Sequence, residues 1–126
     1  MSVPIWALLP AAIGIVACSM TEMPDASEGA VLFAANCTGC HGVNATGIGK
    51  APDLTRIAAR NQGVFPVAPV LSQIDGYGRG SAGSAMPEFG DLLLGDTVPV
   101  SVNGTLTPTP RGLAALLAYL QAIQAL

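Results

Sequence analysis

The stretch NCTGCHG, residues 36–42, sets two cysteines three positions apart and follows the second at once with a histidine. His41 is the only histidine among 126 residues, and Cys37 and Cys40 are two of three cysteines. Residues three apart lie on the same side of a helical turn, so both thiols face one object together. Two familiar uses of such a pair fit this chain badly. A structural zinc ion takes four ligands, whereas this segment supplies three, with Cys40 and His41 adjacent and awkward for one tetrahedron. A redox-active dithiol opens a helix within a βαβ unit. Here the cysteines close an Ala-rich run, GAVLFAAN, in a chain without a convincing parallel sheet.

The remaining use is covalent attachment of a c-type haem, for which Cys-x-x-Cys-His is a direct signature. Thiols on one side of a helical turn reach the two vinyl groups along one porphyrin edge and form thioethers. His41 then offers a ring nitrogen to the iron. With no second histidine, bis-histidine ligation within the chain is excluded, and the other axial position calls for a different donor.

Composition agrees with a core that needs a guest. Apolar residues make up 51% of the chain, yet only six are aromatic (one Trp, two Tyr, three Phe). A core built of Ala, Leu and Val is short of bulky fillers. The length suits one domain. The net charge is −3 and the five basic residues are scattered, which excludes the clustered Lys and Arg of a nucleic-acid surface.

The front of the chain is different. VPIWALLPAAIGIVA, residues 3–17, carries no charge, contains Pro4 and Pro10 and stops at Cys18. It falls short of the roughly 20 residues of a membrane-spanning helix and reads as the hydrophobic region of an export signal, although no Lys or Arg precedes it. IVAC, residues 15–18, resembles a bacterial lipobox, in which Cys18 becomes the lipidated first residue of the mature protein. Ordinary cleavage nearby and an uncleaved anchor are the other two readings. The division is then a signal peptide over 1–17, a tether over 18–26 and a domain over 27–126.

Within the domain, Asp25 caps a first helix, with Glu28 in capping-box register, that runs to the cysteines. Asp53 caps a second, short helix with Leu54, Ile57 and Ala58 on one face, ending at Asn61–Gly63. Pro69 starts a third, with Val70, Leu71 and Ile74 on one side and Gly76 as its stop. In the last helix Thr109 is the cap and Pro110 the first turn, and Leu113, Leu116, Leu117, Leu120 and Ile123 form an apolar stripe. VPVSVNGTLT, residues 98–107, alternates about Asn103–Gly104, the dipeptide of a type I′ hairpin. The irregular segment from Gly76 to Pro87 is longer than a compact domain carries without a use for it.

On these residues the chain resembles the class I c-type cytochromes, small monohaem electron carriers. In that family a methionine well downstream of the haem motif, often followed by proline, takes the sixth iron position. SAMPEFGD, residues 84–91, supplies Met86 and Pro87 in that place. A thioether suits haem iron and raises its potential relative to two nitrogens; as an alternative, Met86 fills a gap in the core. The resemblance spans residues 27–124. It implies that Gly29 and Phe33 of the first helix pack against Leu116 and Tyr119 of the last, crossing near a right angle, which gives a reason for a glycine that otherwise costs about 0.5–1 kcal/mol in a helix. It also implies that the carbonyl of Pro52, eleven residues beyond His41, accepts the ring N–H of that histidine. Pro52 equally stands where a helix begins, which accounts for a proline without any such role.

The resemblance implies an all-α, cytochrome c-like fold of three to five helices around one covalent haem c, with a small β-hairpin near 98–107. It further implies single-electron transfer between a redox donor and an acceptor, with no substrate chemistry; together with the export signal this puts the expected location on the periplasmic side of a bacterial membrane, lipid-anchored through Cys18 or, alternatively, soluble in the periplasm. Two other functions share the motif: an electron-transfer subunit of a membrane-bound dehydrogenase, and a haem sensor or peroxidase with an open sixth site. The lysine-rich docking face of many family members is absent, since Lys50 is the sole lysine. Arg56, Arg60, Arg79 and Arg111 are candidates for haem propionates, with solvated surface as the competing reading of each.

Overall fold

In the computed structural model, residues 22–76 and 85–125, together with Gly14, are described. The apolar run over 3–17, Cys18 and Arg79 lie outside the described residues. Helix α1 spans Ala26–Asn36, and the Asp25 carboxylate accepts the Glu28 N–H at 2.9 Å, filling one of the donors a helix leaves open at its start. The other half of a capping box is missing, because the Glu28 carboxylate is taken by Arg111. A four-residue helix α2, Thr38–His41, follows directly, and Gly42 ends it at φ 77°.

A loop then returns to a 3₁₀ turn at Leu54–Arg56 that runs on into α3, Ile57–Arg60; Asp53 caps it as expected, accepting the Thr55 N–H at 2.9 Å. Helix α4 spans Val67–Asp75, two residues earlier than Pro69 suggests. Pro69 sits inside the first turn, where a missing N–H costs nothing. Gly76 closes α4 in the left-handed conformation, φ 86°, as the sequence indicates.

Strands β1, Thr97–Val102, and β2, Thr105–Pro110, form an antiparallel hairpin in which Val102 faces Thr105 across Asn103 and Gly104. Both turn residues have positive φ, 51° and 83°, as a type I′ turn requires. The hairpin is longer than the alternating stretch suggests, and this overturns one expectation. Thr109 and Pro110 belong to β2, and the Thr109 hydroxyl donates to the Thr107 carbonyl instead of capping a helix. Helix α5 begins at Arg111 and ends at Ala122. The register explains the difference: Val98 pairs with Thr109, and both are buried, so the strand continues for as long as it has a core to cover.

The most extensive packing between elements joins α1 to α5. A Cβ at Gly29 would collide with the Ala115 carbonyl and the Tyr119 Cβ, so the crossing depends on glycine. Phe33 and Tyr119 meet beside it with ring centroids 5.1 Å apart and planes tilted by 45°. Leu113, Leu116, Leu117 and Leu120 are buried along α5, each contributing about 1.5–3 kcal/mol on full burial; Ile123 is half-buried just past the helix end. Val98 and Val100 from the hairpin and Leu71 and Ile74 from α4 complete the cluster. The chain is therefore mostly helical with one two-stranded hairpin. Among the described residues no helix is long and apolar enough to cross a membrane.

Candidate functional site

Cys37 sits at the junction of α1 and α2, its N–H bonded to the Phe33 carbonyl at 2.8 Å. Its own carbonyl receives the N–H groups of Cys40, at 3.2 Å, and His41, at 2.9 Å. This single turn sets the relative positions of the three motif side chains. The two cysteines are not joined in a disulfide; Cys37 is half-buried and Cys40 exposed. Burial pushes the Cys37 thiol up from its ordinary value, and the neighbouring Cys40 adds to the rise. Among the described residues no group of three or more His, Cys, Asp or Glu side chains converges on a point where a metal ion would sit.

His41 is buried, and its Nδ1 lies 3.1 Å from the Pro52 carbonyl oxygen. A carbonyl only accepts, so this contact puts the ring proton on Nδ1 and leaves the Nε2 lone pair available as a ligand. The loop between them is shaped for the purpose. After Gly42 the chain doubles back, with Gly47 N–H donating to the His41 carbonyl at 2.8 Å and Ile48 N–H to the Cys40 carbonyl at 3.0 Å. Leu54 N–H returns to the Ala45 carbonyl at 2.8 Å, and Ala45 is fully buried. Gly47 adopts φ 88°, and a Cβ there would run into the backbone of Ala51 and Pro52. Gly47 thus decides how closely the Pro52 carbonyl approaches the histidine, a role its position in the sequence does not announce.

Met86 is half-buried and packs against the same buried cluster as Cys37. Its segment is fastened to the end of α4: Phe89 N–H donates to the Ile74 carbonyl at 3.0 Å, and a Cβ on Gly76 would meet Glu88. The Gln73 side-chain amide, on α4, approaches the Met86 sulfur at 3.6 Å as donor. Nothing in the sequence around Met86 points to Gln73, which lies thirteen residues away. The structure thus joins His41 to Pro52 and keeps the two cysteines on one turn, while Met86 approaches from α4.

The far end of α5 braces the same loop. The Gln124 side chain accepts the Ala58 N–H at 2.9 Å and donates to the carbonyls of Leu54 at 2.8 Å and Leu120 at 2.7 Å. Of the arginines, Arg111 lies at the surface, where it forks onto Glu28 with two bonds, 2.9 and 2.8 Å, and reaches the Glu22 carbonyl at 2.7 Å.

The donor set fits a covalently held haem. It offers two thiols on one turn, an oriented imidazole and a thioether in an aliphatic core short of aromatic residues. None of the curated proteins matches the chain. A family model described as Cytochrome c matches residues 26–124, a span that takes in every helix and both strands among the described residues. The chain therefore belongs to the cytochrome c family, whose cofactor is haem c bound covalently through its iron-bearing porphyrin.

Proposed function

We propose that this protein is an exported, membrane-tethered monohaem cytochrome that passes single electrons between redox partners and performs no substrate chemistry of its own. In this reading Cys37 and Cys40 carry the thioether links, His41 is the proximal ligand through Nε2, and Met86 is the distal ligand. Haem supplies a one-electron couple, and His/Met ligation places it at a higher potential than two nitrogens would. The chain's own residues do the rest. Pro52 fixes the imidazole's tautomer and orientation. Gly47 sets the distance of that carbonyl, and the aliphatic side chains of α4, α5 and the hairpin exclude water.

The observation that carries the reading is the 3.1 Å contact between His41 Nδ1 and the Pro52 oxygen, which prepares the remaining nitrogen for a metal. Export and anchoring are supported by the apolar run over 3–17 and the lipobox-like IVAC ending at Cys18. They support a location on the periplasmic side of a bacterial membrane.

The test is an optical and pyridine haemochrome spectrum of periplasmically matured protein, for wild type and Met86→Ala. A haem that resists acid acetone, together with a sulfur–iron charge-transfer band lost in the variant, is expected. An extractable haem refutes thioether attachment, and a band that survives the substitution refutes Met86 as ligand.

A further inference from the structure

The described chain enters the domain at a particular place. The Glu22 carbonyl is held by Arg111, and from there two shallow depressions share Val31, Glu28 and Arg111. One contains Met23; the other contains Leu92 and Leu94. These are four large apolar side chains left open to water: Met23 is 47% exposed, Val31 70%, Leu92 70% and Leu94 72%. They form one face along the first half of α1. Leucines this exposed, grouped and not scattered, mark a surface that meets something.

We propose that this face rests on the lipid bilayer, so that the anchor and the patch together fix the domain's orientation at the membrane. The inference rests on the anchored reading given above. Its argument is reach. Only Ser19, Met20 and Thr21 separate Cys18 from Glu22, and four residue steps, fully extended, span at most about 14 Å. An acyl chain on Cys18, or an uncleaved apolar run, therefore keeps Glu22 and the face beside it within one short tether of the headgroups. Four side chains bind a bilayer weakly on their own. A tether makes the contact intramolecular, with an effective concentration of about millimolar.

Charge limits which lipids suit. Glu22, Asp25 and Glu28 border the patch against a single Arg111, so the face fits a zwitterionic surface and is repelled by an anionic one. The orientation has a consequence for electron exchange. From Val31, the residue of the patch nearest the motif along α1, the helix rises about 9 Å to Cys37. The haem-binding turn is then held away from the bilayer, open to partners arriving through water.

The experiment uses the mature haem-loaded chain on phosphatidylcholine vesicles in the ferrous state, nitroxide-labelled at Leu94→Cys or, as control, at Val64→Cys. Accessibility to oxygen and to a water-soluble nickel chelate reads the depth of each label. The label at 94 is expected to gain oxygen access and lose nickel access several-fold on vesicles, with the label at 64 unchanged and the effect weakening as phosphatidylglycerol is added at low salt. Vesicle-bound protein whose two labels are equally open to nickel overturns the proposal and leaves the anchor standing. A chain that stays off the vesicles overturns both, while its optical spectrum still reports on the haem assignment. Spin–spin broadening at 94, or shielding from both reagents without lipid, assigns the face to a second copy or to another segment of protein and overturns the proposal as well.

Discussion

Gly29 of α1 lies against the carbonyl of Ala115 in α5, with no room for even a methyl group between them. A helix interior ordinarily favours alanine over glycine by about 0.5–1 kcal/mol. Here the sign reverses, because a carbonyl within a helix cannot step aside. Gly29→Ala is expected to destabilise the ferric holoprotein by about 1–2 kcal/mol net, since overpacking costs about 1–3 kcal/mol. A thermal melt reads this as a fall of about 4–8 °C per kcal/mol. An unchanged or raised melting temperature would show that the two helices do not approach this closely.

Gly47 offers a second test, aimed at the iron and not at the core. At φ 88° and in contact with the backbone of Ala51 and Pro52, it fixes the carbonyl that receives the His41 ring proton. Gly47→Ala is expected to loosen that bond and make the imidazole a weaker donor, raising the midpoint potential. Redox titration checks the direction. A lower or identical potential, with the fold intact by circular dichroism, would dissociate the loop from the histidine.

The Gln73 amide on the Met86 sulfur predicts an opposite shift. A donor on the sulfur withdraws electron density from it, so Gln73→Leu leaves a better-donating thioether that favours the oxidised iron. The potential is expected to fall, with a change in stability below about 1 kcal/mol for one neutral hydrogen bond. A potential that rises, or a large stability loss without any redox effect, would make Gln73 a packing residue only.

Two helix-capping carboxylates set the acid limb. Asp25 is held below the usual carboxylate range by the Ser27 hydroxyl and then the Glu28 N–H, and Asp53 is held low chiefly by the Thr55 hydroxyl. A carboxyl whose folded pKa is depressed adds stability that is present above its unfolded pKa and is lost as pH falls through the folded one. The holoprotein should therefore lose stability below the ordinary carboxylate range, and the double variant Asp25→Asn, Asp53→Asn should flatten that limb. Parallel denaturation curves for wild type and variant across acid pH would show that the caps do not titrate with folding.

Where local chemistry decides, the sequence was readable. Asn103–Gly104 turns the hairpin, Asp25 and Asp53 cap their helices, and the leucines of α5 are buried at helical spacing. The motif at Cys37–His41 could also be read from its spacing, whereas the contact of His41 with Pro52 was implied only by the family resemblance. Other features depend on residues far apart in the chain. Glu28 leaves its own helix start for Arg111, 83 positions away, and Gln124 bonds to Ala58 and Leu54 at separations of 66 and 70. Thr109 and Pro110 carry strong helix-start chemistry, yet they extend a strand because Val98 needs cover. The closeness of Gly47 to Pro52 appears only once the loop has folded back.

The pairing of α1 with α5 has a bearing on biosynthesis. An eleven-residue helix is marginal in water without a partner, and the partner of α1 is α5, which follows every other described element along the chain. Until α5 docks, α1 lacks the partner that fixes it, and Cys37 and Cys40 stand at the end of an unsupported helix. Closure of the fold around the motif is thus timed by its topology, because α1 is fixed only when α5 docks on it.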